Sequence, residues 1–265
     1  MLAFQPDLDP GLIHAVRDAA RRAGDMAKPY FRAGRETAAR VWFKEGSSPV
    51  TEADIAVDTF LKEHLSALLP DAAWLSEETA DDPVRLESRR VWIVDPIDGT
   101  RAFAAGHPDW SVSIGLVQDG RPVLGIVHAP IHNRLYEATP GGGAFCNGEM
   151  LSITGNDEPF RVAGPRPLIE RFERRHGPAI HLPKVPSLAL RLVRVADGSI
   201  DLGLVSAKSA DWDIAAADLI LREAGGVLTD LAGEPVAYNQ PHPKHGEMVA
   251  AGAWLHPRVI EAMRA

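Results

Sequence analysis

Two aspartates flank Pro-Ile and lead into Gly-Thr in the run Asp95-Pro96-Ile97-Asp98-Gly99-Thr100, and no other stretch concentrates so much potential chemistry. Carboxylates at this spacing, leaving a strand through Pro and Gly, can converge on one hard cation. Magnesium prefers oxygen ligands in a tight octahedron and keeps part of its water shell, and a backbone carbonyl such as that of Ile97 can complete the set. Gly99 lets the backbone come close to a phosphate. N–H groups after it, at a turn or helix start, favour an anion. A plainer reading is a turn, since Asp-Pro and Asp-Gly each mark turns on their own. The strand ahead of the run and the threonine behind it tip the reading toward the cation.

Three more stretches carry carboxylates that fit such a site, and each also has an ordinary structural use. Glu77 and Glu78 follow an apolar pair in Trp74-Leu-Ser-Glu-Glu-Thr79; adjacent glutamates are commonly solvated surface. Asp211-Trp-Asp213 starts a helix, where Asp serves capping and the helix dipole. Thr51-Glu-Ala-Asp54 resembles a capping box with Asp in place of Glu. Alternatively, Asp54 holds or activates a water near the metals while Thr100 relays its proton. A two-metal centre lowers the pKa of such a water and neutralises the leaving oxygen.

The elements that must position these residues can be read from periodicity. Asp9-Pro10 opens a helix that Leu12, Ile13, Val16, Ala20, Ala23 and Ala27 carry to about Tyr30. Gly46-Ser-Ser-Pro49 breaks the chain, and a second helix follows with Thr51 as N-cap and Ile55, Phe60, Leu61, Leu65 and Leu68 on its apolar side. Val91–Asp95 reads as a buried strand delivering Asp95 at its end. Trp110–Val117 and Pro122–His128 form a hairpin around Asp119-Gly120. Arg134–Ala138 continues the meander, and Gly141-Gly-Gly143 closes it. Residues 155–185 are Pro-rich with little periodicity and receive no assignment. Beyond them come a helix over Ser187–Ala196, a strand over Ile200–Val205 and a helix over Asp213–Ala224 ending at Gly225-Gly226. Strands at Val227–Leu231 and Met248–Trp254 and a terminal helix complete the chain. The pattern places a helix pair and antiparallel sheet with most of the ligands in residues 1–150, and an α/β half with Asp213 in residues 151–265.

The bulk properties narrow the function. With 265 residues, 45% hydrophobic and 24% charged, the chain has the make-up of a globular protein. Its net charge of −8 argues against a nucleic-acid polymer as partner. No apolar run is long enough to span a bilayer, and the N-terminus lacks the basic flank of a signal peptide, so the cytoplasm is the expected compartment. Cys146, the single cysteine, reads as a small buried thiol. His107, His128, His132, His242 and His245 form no helical zinc pattern, and His242 and His245 read as loop residues.

Taken in order, Lys44, Ser48-Pro-Val-Thr-Glu-Ala-Asp54, Glu77-Glu78, Asp95-Pro-Ile-Asp-Gly-Thr100, Trp212-Asp213 and Glu223-Ala-Gly-Gly226 resemble the inositol monophosphatase superfamily of lithium-sensitive, magnesium-dependent phosphatases. The resemblance covers nearly the whole chain. It implies an α+β class, a layered α/β/α/β/α sandwich with metals held between the two halves. It implies two or three Mg2+ ions per site, with Mn2+ also possible, held by Glu77, Asp95, the Ile97 carbonyl, Asp98 and Asp213. Asp54 and Thr100 match the pair associated with the nucleophilic water or a third metal, Glu77 joins them as a catalytic residue, and the Gly99 and Thr100 amides match the phosphate donors. A homodimer is implied as well.

The resemblance also bears on the substrate, a small phosphorylated metabolite. Inositol phosphatases carry a Glu seven residues before the Asp of the Trp-Asp pair, and here that position is Ser206. Arg101-Ala-Phe103 stands where they carry Thr-Asn-Phe. Ser187-Leu-Ala-Leu-Arg-Leu and Lys208-Ser-Ala-Asp-Trp-Asp213 look closer to the bacterial 3'(2'),5'-bisphosphate nucleotidase branch. A bisphosphate nucleotide needs cations for its second phosphate, and Lys208, Arg191 and Arg194 are the candidates. Inositol monophosphatase and histidinol-phosphatase are the alternatives within the superfamily. A non-catalytic, metal-binding regulatory protein is the alternative of another class.

Overall fold

Asp9 begins the first helix as the sequence predicts: its side chain accepts the Gly11 amide at 3.2 Å, and Pro10 takes the first helical position. The computed structural model describes residues 8–44, 48–156 and 158–264. Helix α1 (Pro10–Ala27) ends in a 3-10 turn to Tyr30. Strands β1 (Val41–Phe43) and β2 (Pro49–Thr51) pair antiparallel and lead directly into α2 (Glu52–Leu68). Gly46 and Ser47 of the expected chain break lie outside the described residues, as do residues 1–7, where the leader signals were weighed.

Thr51 caps α2 in a capping box with Asp54, as expected. The buried stripe of α2 differs from the expected one. It runs through Ala53, Asp54, Val57, Asp58, Leu61 and Leu65, while Ile55 is 40% exposed. Hydrophobicity alone mislocates the face because two aspartates occupy inward positions of the helical period. Asp54 reaches Thr100, and Asp58 bonds the residues on either side of the Glu77-Glu78 pair.

A seven-stranded sheet follows, built from β3 (Ala72–Ser76), β4 (Arg90–Asp98), α3 (Thr100–Ala104) as an insertion, β5 (Ser111–Gln118), β6 (Arg121–Ala129), β7 (Arg134–Thr139), β8 (Gly143–Cys146) and β9 (Glu149–Leu151). Its strands lie in sequence order, with β3 parallel to β4 and the others antiparallel. Asp119 and Gly120 turn β5 into β6 with φ of 51° and 74°, the left-handed pair that a two-residue hairpin requires. Past the predicted close at Gly141-Gly-Gly143 the sheet gains β8 and β9.

Residues 155–185, unassigned from sequence, contain β10 (Arg161–Ala163), α4 (Arg166–His176) and β11 (Ile180–His181). Helix α4 buries Leu168, Ile169 and Phe172 among charged neighbours, too few apolar positions to stand out as a stripe. Then come α5 (Leu188–Ala196), β12 (Leu202–Val205), α6 (Asp211–Glu223), β13 (Gly226–Asp230), β14 (Met248–Gly252) and α7 (His256–Met263). Five of these strands form a second sheet in the order β11-β10-β12-β14-β13.

The layers stack as α1 and α2, the large sheet, α5 and α6, the small sheet, then α4 and α7. The middle core joins both sheets: Ile93 and Val127 pack in one cluster with Leu192, Ile214, Leu228 and Ala250. Helix α6 sits unusually close to the large sheet. A Cβ on Gly125 would lie 2.4 Å from the Ala216 carbonyl oxygen, so only glycine admits the helix at this depth. That approach brings the start of α6 to the end of β4.

Candidate metal centre

The parallel register Ser76↔Val94 sets the end of β3 beside the middle of β4, so Glu77 leaves β3 next to Asp95, which stays in the sheet opposite Ser113 of β5. Positions 95 and 98 of a regular strand would point to opposite faces. The β4–β5 ladder shifts between Asp95 and Asp98, across Pro96, which has no N–H to donate. Both carboxylates therefore turn toward the start of α6. There Asp95, Asp98 and Asp213 each present an oxygen within 4.8 Å of the others.

Each of the three is held by backbone. Asp95 Oδ1 accepts the Ile97 amide at 3.0 Å, and Asp213 Oδ2 accepts the Ala210 amide at 2.6 Å. Asp98 Oδ2 accepts the Ser187 hydroxyl at 2.5 Å and the Ala189 amide at 2.7 Å, at the start of α5. Burial pushes the carboxyls of Asp95 and Asp213 well above the usual range, and neighbouring carboxylates push the same way. Asp98 is pushed up to about 6, again chiefly by burial, against the bonds from Ser187 and α5. None of the three pairs with a Lys or Arg among the described residues. Two buried carboxylates and a half-buried one, converging with no ion pair to a basic side chain among the described residues, are the donor set a hard divalent cation requires, so the residues fit a metal.

Thr100 begins α3, which is anchored by Phe103 edge-on to Trp110 at 5.0 Å, both buried. Its Oγ1 lies 3.0 Å from Asp54 Oδ1 and 3.0 Å from the Ile97 carbonyl oxygen. The other Asp54 oxygen accepts the Thr51 amide at 2.8 Å and the Thr51 hydroxyl at 2.5 Å. The two readings of Asp54 thus coexist on its two oxygens. Asp54 is fully buried, and burial raises its carboxyl to about 6 despite these donors.

The Glu-Glu pair divides its roles. Glu77 lines the cavity beside Asp95, Asp98 and Asp213, outside their 4.8 Å cluster. Glu78 turns inward, with Oε2 2.7 Å from Lys44 Nζ and Oε1 without a partner among the described residues. Burial raises the Glu78 carboxyl to about 7, against the pull of Lys44. Lys44 also donates to the Glu77 carbonyl at 3.1 Å. Burial works against its ammonium, yet the glutamates outweigh it and hold its pKa above the usual value. Behind this turn, Asp58 accepts the hydroxyls of Ser76 and, at 2.6 Å, Thr79, bracketing Glu77.

The cavity, about 210 Å3, is lined by Glu77, Asp95, Asp98, Gly99, Thr100 and Asp213 together with Ser48, Pro49, Arg101, Lys184 and Pro186. Lys208 is not among its lining residues: it stands exposed in the turn before α6, with φ of 78°. Arg191 and Arg194 are committed elsewhere. Arg191 is buried and donates to the carbonyls of Leu204 and Val185, both at 2.9 Å, and Arg194 pairs with Asp109 at 2.5 Å. Sequence reasoning missed Asp58, Ser187 as a partner of Asp98, and Lys184. Only Asp58 left a trace, as a polar residue on the buried stripe of α2. His245, expected in a loop, is there and bonds the buried Asp211 at 2.7 Å. Cys146 is a buried free thiol, and burial raises its pKa.

The model of the inositol monophosphatase family matches residues 7–265. The chain belongs to that family. As an inositol monophosphatase family member it is a phosphatase, a phosphoric monoester hydrolase acting on small phosphorylated substrates, and the family is metal-dependent. It is 34% identical over 246 residues to the 3'(2'),5'-bisphosphate nucleotidase CysQ of Aggregatibacter actinomycetemcomitans, covering 89% of this chain and 90% of that one. It is also 34% identical over 250 residues to inositol monophosphatase 1 of Solanum lycopersicum, with 86% and 89% covered. The family fold is shared with the solved IMPase of Thermotoga maritima, at a TM-score of 0.80, 28% identity and 94% coverage of both chains. The extragenic suppressor protein suhB of Bartonella henselae superposes at 0.83, with 26% identity and coverage of 96% and 98%. No helix among the described residues is long and apolar enough to cross a membrane.

Proposed function

We propose that this chain is a magnesium-dependent 3'(2'),5'-bisphosphate nucleotidase, converting adenosine 3',5'-bisphosphate to AMP and phosphate. The observation that carries the chemistry is the convergence of buried Asp95 and Asp98 with half-buried Asp213, none of them in an ion pair among the described residues, across one cavity from Thr100 and its partner Asp54. Glu77, Asp95, the Ile97 carbonyl, Asp98 and Asp213 hold the ions. Oxygen-only donors suit Mg2+, and Mn2+ takes the same set. When bound, the cations neutralise charge on the phosphate and the leaving oxygen and acidify water.

The chain's own residues orient the ester and move the proton. The Gly99 and Thr100 amides receive phosphate oxygens. Thr100 Oγ1, donating to Asp54 Oδ1, keeps lone pairs for the proton of an attacking water. As water oxygen bonds to phosphorus and the ester P–O bond breaks, that proton passes to Thr100 and the threonine's own proton to Asp54. The leaving alkoxide takes a proton from solvent.

Nucleotidase relatives at 31–34% identity support the substrate, together with an exposed Ser206 where the inositol branch carries a glutamate. Inositol phosphate is the second reading, favoured by the equal identity to the tomato enzyme. The complete carboxylate set speaks against a purely regulatory protein. Lithium sensitivity and a homodimer go with the same family resemblance. Phosphate release at saturating Mg2+ from adenosine 3',5'-bisphosphate, inositol 1-phosphate and histidinol phosphate, measured in parallel, tests the assignment. A lead for the nucleotide supports it, and a lead for either other ester replaces it.

A further inference from the structure

Deepening the nucleotidase reading and resting on it, we infer that Lys184 is the specificity cation of the cavity, binding a second phosphate of the substrate away from the carboxylate trio. Lys184 and Arg101 are the two cationic side chains on the cavity wall. Lys184 shares that wall with four carboxylates, Glu77, Asp95, Asp98 and Asp213, yet it makes no ion pair or hydrogen bond among the described residues. Arg191 and Arg194 are bonded elsewhere, and Lys208 lies off the cavity.

The backbone around Lys184 is fixed on both sides. Two residues earlier, the Leu182 amide donates to the Val162 carbonyl at 2.9 Å, extending the small sheet. One residue later, Val185 is buried, and its carbonyl accepts Arg191 Nη2 at 2.9 Å. Three residues later, the Ser187 hydroxyl reaches Asp98 at 2.5 Å. Pro183 and Pro186 restrict the dihedrals of the segment, and each holds the residue before it extended. Arg191 thereby gains a reason to be buried, because it ties the Val185 carbonyl to β12 through Leu204. A lysine with a long side chain is thus presented from a pre-organised backbone, and little entropy beyond its own rotamers is lost on binding.

The chemistry of the wall separates two anion positions. The first belongs to the ester under attack, at the carboxylate trio with Gly99 and Thr100. The second belongs to a group that enters with the leaving alcohol, because Lys184 lies on the cavity wall in the segment that runs on from the small sheet. Three residues of chain reach at most about 10 Å, so Lys184 stands within the breadth of a phosphorylated ribose from Ser187 and Asp98. Lysine serves as a mobile point charge for a phosphate that need not be held rigidly. An uncharged polyol offers it nothing.

The test uses two substrates that differ only in this group, adenosine 3',5'-bisphosphate and adenosine 3'-monophosphate, with the wild type, Lys184→Ala and Lys184→Arg. The wild type is expected to prefer the bisphosphate by about tenfold in kcat/KM, the size of one exposed charge-assisted contact. Lys184→Ala should bring the two within about threefold of each other, the loss falling on KM for the bisphosphate rather than on kcat, and Lys184→Arg should restore most of the preference. A wild-type preference that survives Lys184→Ala, or equal losses on both substrates, overturns the role of Lys184 while leaving the nucleotidase reading in place. A wild type that turns over inositol 1-phosphate and shows no preference between the nucleotides removes both.

Discussion

Thr100 Oγ1 stands 3.0 Å from one oxygen of Asp54, and the other oxygen of that carboxylate closes the N-terminal cap of α2 on Thr51. One side chain therefore ties the start of a structural helix to the proposed proton path of the cavity. The two tasks are separable by mutation. Asp54→Asn keeps an acceptor for the cap but removes the base, and phosphate release should fall by about 10²- to 10⁴-fold. Thr51→Ala removes the cap hydroxyl, lowering stability by about 1 kcal/mol with a much smaller effect on rate. Steady-state rates and denaturant midpoints of the two variants check this. A Thr51→Ala rate loss as large as that of Asp54→Asn would contradict the division.

Metal-free protein should lose stability as pH rises. Asp98 titrates at about 6 in the folded chain against 3.8 for a free carboxyl, and Asp95 and Asp213 move in the same direction, all chiefly through burial. A raised folded-state pKa gives stability that is complete below the unfolded value and lost as pH rises through the folded one. The melting temperature in chelator should therefore fall as pH rises from about 4 through about 6, and Mg2+ should raise it more at the upper end. Asp98→Asn should flatten the slope. An equal Mg2+ effect at both pH values would contradict the charge argument.

Residues that orient the carboxylates should show in metal affinity before they show in maximal rate. Ser187→Ala removes the hydroxyl bond to Asp98, and Asp58→Ala frees the turn that carries Glu77. Each should raise the Mg2+ concentration for half-maximal activity by about 10- to 100-fold. Titration calorimetry and Mg2+-dependent rates check this, and unchanged metal affinity in both would remove their positioning role.

Gly99 has φ of 90°, and a Cβ there would meet the Asp109 carbonyl oxygen and the Ser187 amide nitrogen, both at 3.2 Å. Gly99→Ala combines backbone strain with a close contact against immovable backbone, and should cost about 1–3 kcal/mol of stability. The displaced Ser187 would carry Asp98 with it, so activity should fall further than stability explains. Denaturant unfolding together with rates at saturating Mg2+ separates the two effects.

Much of the fold was legible because its signals are local. The caps at Asp9 and Thr51 and the Asp119-Gly120 turn are written in short-range chemistry and reappear in place. Convergence of Asp95, Asp98 and Asp213 was legible only through the order of several stretches, since α6 approaches the sheet through Gly125, far from any of them in sequence. Helix α4 escaped because its apolar face has only three buried residues. The partners of Arg191 and Arg194 were hidden for a related reason. Arg191 and Arg194 lie on a helix whose environment is set by β12 and by Asp109, and nothing near them in sequence reveals those partners. Lys184 was hidden in a segment without periodicity, where only the folded path of the chain brings it to the cavity.

The most direct measurement is phosphate release from adenosine 3',5'-bisphosphate across a Mg2+ titration after chelator treatment, for wild type and Asp98→Asn. The account predicts no turnover without the metal, saturable activation of the wild type, and loss of at least about a thousandfold in the variant. Turnover that persists in chelator, or an Asp98→Asn enzyme activated like the wild type, would contradict a metal centre built on Asp95, Asp98 and Asp213.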